Sequence, residues 1–218
     1  SSLRSMATFE NDSILTQTIS NIYSSLNRMY RKQNNNDALI LLALEGLEWR
    51  KTDGGLSSDG YLRSLDELIK TYDDREVCAE VYLAKARQLT NDNKKVEAYQ
   101  VCQDGIQRYP KYPRVNALKR LQEEILRPEL SITTDTAVYP GDTLSLNVTH
   151  ANLNGFTVHY YKVNLPATSP VLQKPIDDDF YKRYTQRIHS KHIDLARPSD
   201  YFQKDTVYKL TTPEEGIY

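Results

Sequence analysis

The sequence changes its hydrophobic period at Leu130, and that change limits what the chain can fold into. Up to Arg127, apolar residues recur at three- and four-residue steps, the spacing of one helix face. From Leu130 they alternate: Leu130 and Ile132 against Ser131 and Thr133, then Leu144, Leu146 and Val148 against Ser145, Asn147 and Thr149. A period of two puts successive side chains on opposite faces of a strand, so each apolar set predicts one buried face. The order helices-then-strands predicts an α+β chain of two domains, a helical one over 1–127 and a β-sandwich over 128–218. Arg127-Pro128 is the stop between them.

In the helical half, the first helix is expected from about Ser13 to Lys32, with Ile19, Ile22, Tyr23, Leu26, Met29 and Tyr30 as its apolar stripe. "QNNND" ends it, and Asp37 is placed to cap the next helix. That helix, "ALILLALEGLEW", is apolar almost all round and should lie between neighbours. After "TDGGLSSDG", Asp59 is expected to cap "YLRSLDELIKTY". The pair "REVCAEVYLAKARQL" and "VEAYQVCQDGIQRYP" follows.

This pair resembles a tetratricopeptide repeat, a helix–turn–helix unit of about 34 residues. Tyr82 stands at its large aromatic position, Ala86, Ala98 and Gly105 at its small ones, Leu89 at the next packing position, and Pro110 at its close. Lys85 and Cys102 depart from the pattern, which has a leucine and an aromatic there. The segment ending at Tyr72 echoes the one ending at Tyr109, 37 residues later, so 37–72 reads as a degenerate earlier repeat. Pro113 is expected at the first position of a last, capping helix with Val115, Leu118, Leu121 and Ile125 inward.

In the β half, "YPGD" places Pro140 and Gly141 at the centre of a type II turn. Asn154-Gly155 is a hairpin signal. Phe156, Val158 and Tyr160 share one face of the next strand, while Tyr161, Val163 and Leu165 fall on the other, which implies a bulge or burial on both sides. Pro166, Pro170 and Pro175 interrupt the sheet. "DDDFYKRYTQRIH" predicts an amphipathic helix with Phe180, Tyr181, Tyr184 and Ile188 in line. "SKHIDLA", "DTVYKLT" and "GIY" resume strands.

Helical repeats followed by "LSITTDTAVYPGDTLSLNVTHANLNGFTVHYYKV" and "DTVYKLTTPEEGIY" resemble the N-terminal region of bacterial alpha-2-macroglobulin-like proteins, in particular the large versions of the Bacteroidetes group. The resemblance runs from about Asp37 onward. It implies a macroglobulin domain, an immunoglobulin-like antiparallel sandwich, after the helices. It also implies a part in protease inhibition: cleavage of a bait region in the whole protein, collapse around the protease, and in many members coupling through a Cys-x-Glu-Gln thioester. Cys78 precedes "AEV" and Cys102 precedes "QDG", so this segment carries no thioester, and no bait region is assigned to it. The implied role is scaffold and contact surface rather than enzyme, without cofactor. Its partners would be proteases met through the full-length protein and the other domains of the same chain. The implied location is the periplasm or outer membrane, with any lipid anchor upstream. A chain that begins without Met and ends on "GIY" in apparent mid-strand fits a segment of a longer protein.

Composition bears on the rival functions. The net charge of −1 argues against a nucleic-acid binder, which needs a basic excess to meet phosphates. The most apolar run is too short for a membrane-spanning helix and is interrupted by Glu45. Tyrosine is abundant, 16 residues against 4 phenylalanines, and suits half-buried helical layers and contact surfaces. A concave face lined by Tyr23, Tyr30, Tyr61, Tyr72 and Tyr99 would instead point to a glycan- or peptide-binding surface lipoprotein. A carbohydrate-active enzyme would need paired carboxylates at a cleft, and no convincing pair stands out.

Isolated motifs carry less. His189 and His192 with Asp194 would suit a metal only on a helix, and they read as surface polar residues. Asp177–Asp179 reads as the N-terminal cap of the predicted amphipathic helix rather than a calcium site. Asn11 and Asn147 match the glycosylation sequon by chance. Cys78 and Cys102 fall on apolar helix faces as small buried residues, and a disulfide between them stays open. No catalytic, cofactor-binding or metal-ligating residue is therefore assigned.

Overall fold

The computed structural model describes residues 2–134, 143–195, 199–211 and 217, with side chains from residue 16 onward. The chain is α+β and divides into two compact units, Ser1–Ile125 and Leu126–Tyr218.

The first unit is helical: α1 (Ser2–Lys32), α2 (Asn36–Thr52), α3 (Ser58–Tyr72), α4 (Cys78–Asn91), α5 (Lys95–Arg108) and α6 (Asn116–Leu126). Neighbours in sequence pack as hairpins from α1 through α5, and α2 also touches α4. α4 forms the centre. Cys78, Val81 and Ala86 on it are fully enclosed, with Leu83 and Leu89 nearly so. Ala98 and Cys102 of α5 are equally buried. Gly105 marks a close approach of helices: a Cβ there would stand 2.9 Å from Cδ1 of Leu118 and 3.0 Å from Cβ of Tyr82.

Several helix starts differ from expectation. α1 begins at Ser2, not near Ser13. α2 is capped by Asn35, whose side chain accepts from the Ala38 N–H at 3.1 Å, and Asp37 sits inside its first turn. Asn34 supplies the left-handed residue that turns the chain (φ 53°), a conformation asparagine tolerates. α3 is capped by Ser57 through the Gly60 N–H at 3.2 Å, not by Asp59. The caps therefore lie two residues earlier, at the polar residue that can still turn out of the helix. α6 starts at Asn116 rather than Pro113. Val115, Ala117 and Leu118 donate three residues back, to Tyr112, Arg114 and Val115, so a tight turn precedes the helix. Two apolar positions predicted inward on α1 face outward, with Ile22 54% and Met29 42% exposed. On α2, Leu41 is also exposed, so that helix is not covered all round.

The second unit holds β1 (Glu129–Thr134), β2 (Thr143–Ala151), β3 (Gly155–Val163), a single 3-10 turn at Pro170–Gln173, α7 (Asp178–Tyr184), β4 (Thr185–Asp194) and β5 (Lys204–Thr211). The described strands form two antiparallel sheets, β1-β2-β5 and β3-β4. β1 pairs with β2 with Leu130 opposite His150 and Ile132 opposite Val148. Leu146, Val148 and Leu210 of the first sheet share one core with Phe156, Val158 and Tyr160 of the second, and the Phe156 and Tyr208 rings meet edge to face at 6.1 Å.

Four expectations need correction here. β1 is exposed along its whole length: it is one of the two outer strands of its sheet among the described residues, and Leu130 and Ile132 stay outside the core cluster of Leu146, Val148 and Leu210. Asn154-Gly155 does not make a hairpin: β2 and β3 belong to different sheets. The left-handed residue is Asn152 (φ 55°). Gly155 is required instead because a Cβ would come within 2.7 Å of the Ile193 carbonyl. The helix at "DDDFYKRY" ends at Tyr184, and Ile188 belongs to a strand. The expected irregularity in β3 is real but lies on its partner. Tyr160 faces His189 and Tyr161 faces Arg187, which leaves Ile188 as the extra residue of a bulge in β4. The "YPGD" turn lies outside the described residues. Of "GIY" only Ile217 is described; its carbonyl accepts from the Val163 N–H at 2.8 Å.

Candidate functional site

A groove of about 550 Å³ lies between α1 and α3 of the helical unit, with α2 as its floor. Leu42, Ala43, Gly46 and Leu47 of α2 form the base. Gly46 lets Tyr23 of α1 lie close, since a Cβ there would stand 3.6 Å from its ring. One turn further, Trp49 stacks beside Tyr23 with centroids 6.5 Å apart and planes 24° from parallel. Tyr72 and Leu68 of α3 complete the apolar lining, and Asn27, Arg50, Glu67 and Thr71 bring hydrogen-bonding groups. Arg50 and Glu67 give the lining one basic and one acidic residue. Burial first, and Glu45 second, raise the Tyr23 phenol above its ordinary pKa and keep it protonated.

Behind the groove, a polar network ties α2, α3 and α4 together. The fully buried Tyr61 donates to Glu48, and burial and that carboxylate push its phenol upward. Lys51 sits 4.5 Å above the Tyr61 ring, 3.3 Å from Glu48, and donates to Oε1 of Gln88 at 2.9 Å. The Gln88 amide in turn donates to Ser58 at 3.2 Å and Asp92 at 2.8 Å. Every member has a partner, so the network positions helices rather than presenting a reactive group. A second buried acid, Glu80, accepts from Tyr112 at 2.9 Å and pairs with Arg114 at 3.2 Å. Burial, then Glu80, raises the Tyr112 phenol to about 12.

The five tyrosines read as one face do not form one. Tyr23 and Tyr72 line the groove, Tyr61 is sealed inside, and Tyr30 and Tyr99 are half-buried elsewhere on α1 and α5. The sequence reading missed Trp49, Glu67 and Arg50. The available signal was the lone tryptophan of the chain, three residues after the glycine of an otherwise apolar helix.

His189 and His192 both lie on β4, where an odd separation puts them on opposite faces. His189 meets Tyr160 at 5.6 Å between ring centroids. His192 meets the Thr157 hydroxyl at 3.0 Å and Asp194 at 3.4 Å. Among the described residues no group of three or more His, Cys, Asp or Glu gathers to hold a metal. Asp177 caps α7 through the Phe180 N–H at 2.8 Å, and Asp179 pairs with Arg183 at 2.9 Å. Asn147 lies in β2 between Thr133 and Val207; Asn11 lies in α1. Cys78 and Cys102 are both buried free thiols, and burial pushes Cys102 up to about 12. Among the described residues no helix is long and apolar enough to cross a membrane.

Compared with known proteins, the chain matches no family model, no curated protein and no solved structure.

Proposed function

We propose that this chain is a non-catalytic scaffold and interaction region of a bacterial alpha-2-macroglobulin-like protease inhibitor, with tetratricopeptide-like helices leading into a macroglobulin-type sandwich. One observation carries the proposal. Helical hairpins run through Arg127-Pro128 into an antiparallel unit whose two sheets share the Leu146–Val148–Leu210 and Phe156–Val158–Tyr160 core. The close approach of α4, α5 and α6 around Gly105 supports the repeat character of the helices. In this reading, protease trapping belongs to the full-length protein, in the periplasm or at the outer membrane. The test is a protease challenge of that full-length protein, read by size-exclusion chromatography and residual activity on a large substrate. Cleavage-triggered compaction with retained protease is expected. Cleavage without either would overturn the proposal.

A second reading, a glycan- or peptide-binding surface lipoprotein, is favoured by the groove, where Trp49, Tyr23 and Tyr72 offer ring faces beside polar groups. Because Trp49 is the only tryptophan, fluorescence titration with glycan and peptide sets reports on that groove directly. Saturable quenching lost in Trp49→Phe with Tyr23→Ala as a non-fluorescent control by calorimetry would favour it; no response from any set would remove it.

A further inference from the structure

Among the described residues β3 is paired along one edge only, with β4, and the bonds at its two ends fix which groups point the other way. The Asn164 N–H donates to the Tyr184 carbonyl at 2.8 Å, and the Leu195 N–H donates to the Asn154 carbonyl at 2.8 Å. The even-numbered residues of β3 therefore turn their backbone groups to β4. That direction alternates along a strand of an antiparallel pair, and the bulge lies in β4, so β3 keeps its phase throughout. The N–H and carbonyl groups of Gly155, Thr157, His159 and Tyr161 face the outer edge, where none has a backbone partner among the described residues. Val163, next in the same row, has one: its N–H donates to the Ile217 carbonyl at 2.8 Å.

The other outer strands are guarded. β4 carries the bulge at Ile188 together with Arg187 and Lys191, β5 carries Lys204, Asp205 and Lys209, and β1 is only 6 residues long. Bulges, charges and shortness are the devices by which a sheet refuses an extra strand. "GFTVHYY", from Gly155 to Tyr161, has no bulge, no proline and no Lys, Arg, Asp or Glu. Such an edge suits strand addition, in which main-chain hydrogen bonds hold the incoming segment.

The side of approach is set as well. Phe156 meets Tyr208 edge to face, and Tyr160 lines one cleft with Leu210 and Thr211. β3 and β5 therefore run the same way, and Val163 and Thr211 finish at the same end of the unit, where Ile217 also lies. The stretch between Thr211 and Ile217 is shorter than β3 and has to pass from one sheet to the other, about 10 Å, so it cannot also line the edge. Residues after Ile217 can, by running back past Tyr161, His159 and Thr157.

We infer that the outer edge of β3 receives one further strand, antiparallel to it and supplied by the same polypeptide beyond Tyr218, with the Val163–Ile217 bond as its first rung. The inference rests on the proposed reading of this chain as a region of a longer protein. Side chains directly opposite one another share a face of the sheet, so the added strand is apolar beside the core-packed Val158 and Tyr160 and polar beside the exposed Thr157 and His159.

The test is amide hydrogen exchange in the 218-residue chain and in the full-length protein. In the 218-residue chain the Thr157, His159 and Tyr161 amides should exchange freely, while those of Val158 and Tyr160, turned to β4, stay slow. In the full-length protein the three outward amides should slow by about a hundredfold or more. They should lose that protection when the residues following Tyr218 are replaced by a glycine-serine linker; slow Val158 and Tyr160 amides show that the variant stays folded. Outward amides equally fast in both proteins overturn the inference. So does protection in the 218-residue chain: constant with concentration, it means the edge is already covered; rising with concentration, it makes a second copy the occupant. Protection that survives the linker also overturns it and assigns the strand to another source. Protected outward amides without protease trapping would support the inference and remove the inhibitor reading; trapping with freely exchanging outward amides would do the opposite.

Discussion

The hydroxyl of Tyr109 donates to the backbone carbonyl of Asp73 at 3.0 Å, tying the end of α5 to the end of α3. Arg108 grips the Asp73 carboxylate from the same side, with Nε at 3.1 Å. The hydrogen bond from Arg108, and secondarily that from Tyr109, holds the Asp73 carboxyl below its usual range.

That depressed pKa fixes a sign. The carboxylate stabilises the fold fully above its unfolded pKa, about 3.9, and the contribution disappears as pH falls through the lower folded value. Asp73→Asn should therefore lower Tm at neutral pH, with the difference from the parent closing as pH drops below about 4. The pair is solvent-exposed, so the gap should also shrink in high salt. Thermal melts across pH check both; a gap that is constant with pH would refute the assignment.

Gly105→Ala sets two effects against each other. Alanine is worth about 1 kcal/mol more than glycine in a helix interior, but overpacking typically costs about 1–3 kcal/mol. With Leu118 at 2.9 Å and the stiffly placed Cβ of Tyr82 at 3.0 Å, overpacking should win, for a net loss of about 1 kcal/mol. Urea denaturation should show the loss shrinking in a Leu118→Val background, where one of the two obstacles is shorter.

Gln88 holds α2, α3 and α4 through three side-chain bonds. Gln88→Ala should cost about 1–3 kcal/mol, measured by denaturation. The coupling to Lys51 should appear in a double-mutant cycle with Lys51→Met and be absent with a distant surface lysine such as Lys119.

The two cysteines should be nearly inert in the folded protein. Both are completely buried, and Cys102 is further protected by a pKa near 12. Thiol reagents at pH 8 should modify them on the order of a thousandfold more slowly than in denaturant, since reaction waits on opening. Rapid modification of either under native conditions would contradict the burial described.

Leu130 and Ile132 should matter little to the isolated chain although they look like core in sequence. Threonine at either is expected to change stability by less than about 0.5 kcal/mol. Leu210→Ala, in the core cluster on β5 of the same sheet and 3% exposed, should cost about 2–5 kcal/mol.

Those two leucine positions show what was legible and what was not. Alternation correctly grouped Leu130 with Ile132 and Leu146 with Val148, but it reports only which residues share a face. Whether a face is covered depends on strands brought in from elsewhere, as β3 covers β2 and β5. Gly155 shows a second limit: a glycine after asparagine serves equally for a turn or for close backbone approach, and only the neighbour across the sheet, Ile193, decides. The small residues Ala86, Ala98 and Gly105 were readable because their spacing along helices is local. The groove was not. Tyr23, Trp49 and Tyr72 come from three helices, and nothing in linear spacing joins them.

The bulge at Ile188 has a consequence for length variation. β3 keeps an unbroken alternation, so the pairs on either side of the bulge, Tyr160 with His189 and Tyr161 with Arg187, already stand on correct opposite faces. Ile188 is thus a spare unit of chain length. Losing it would straighten β4 without reversing any other side chain, whereas losing a residue anywhere between His189 and Ile193 would turn part of the strand inside out. Single-residue deletions should therefore be accepted at this one place in the strand and refused on its core side.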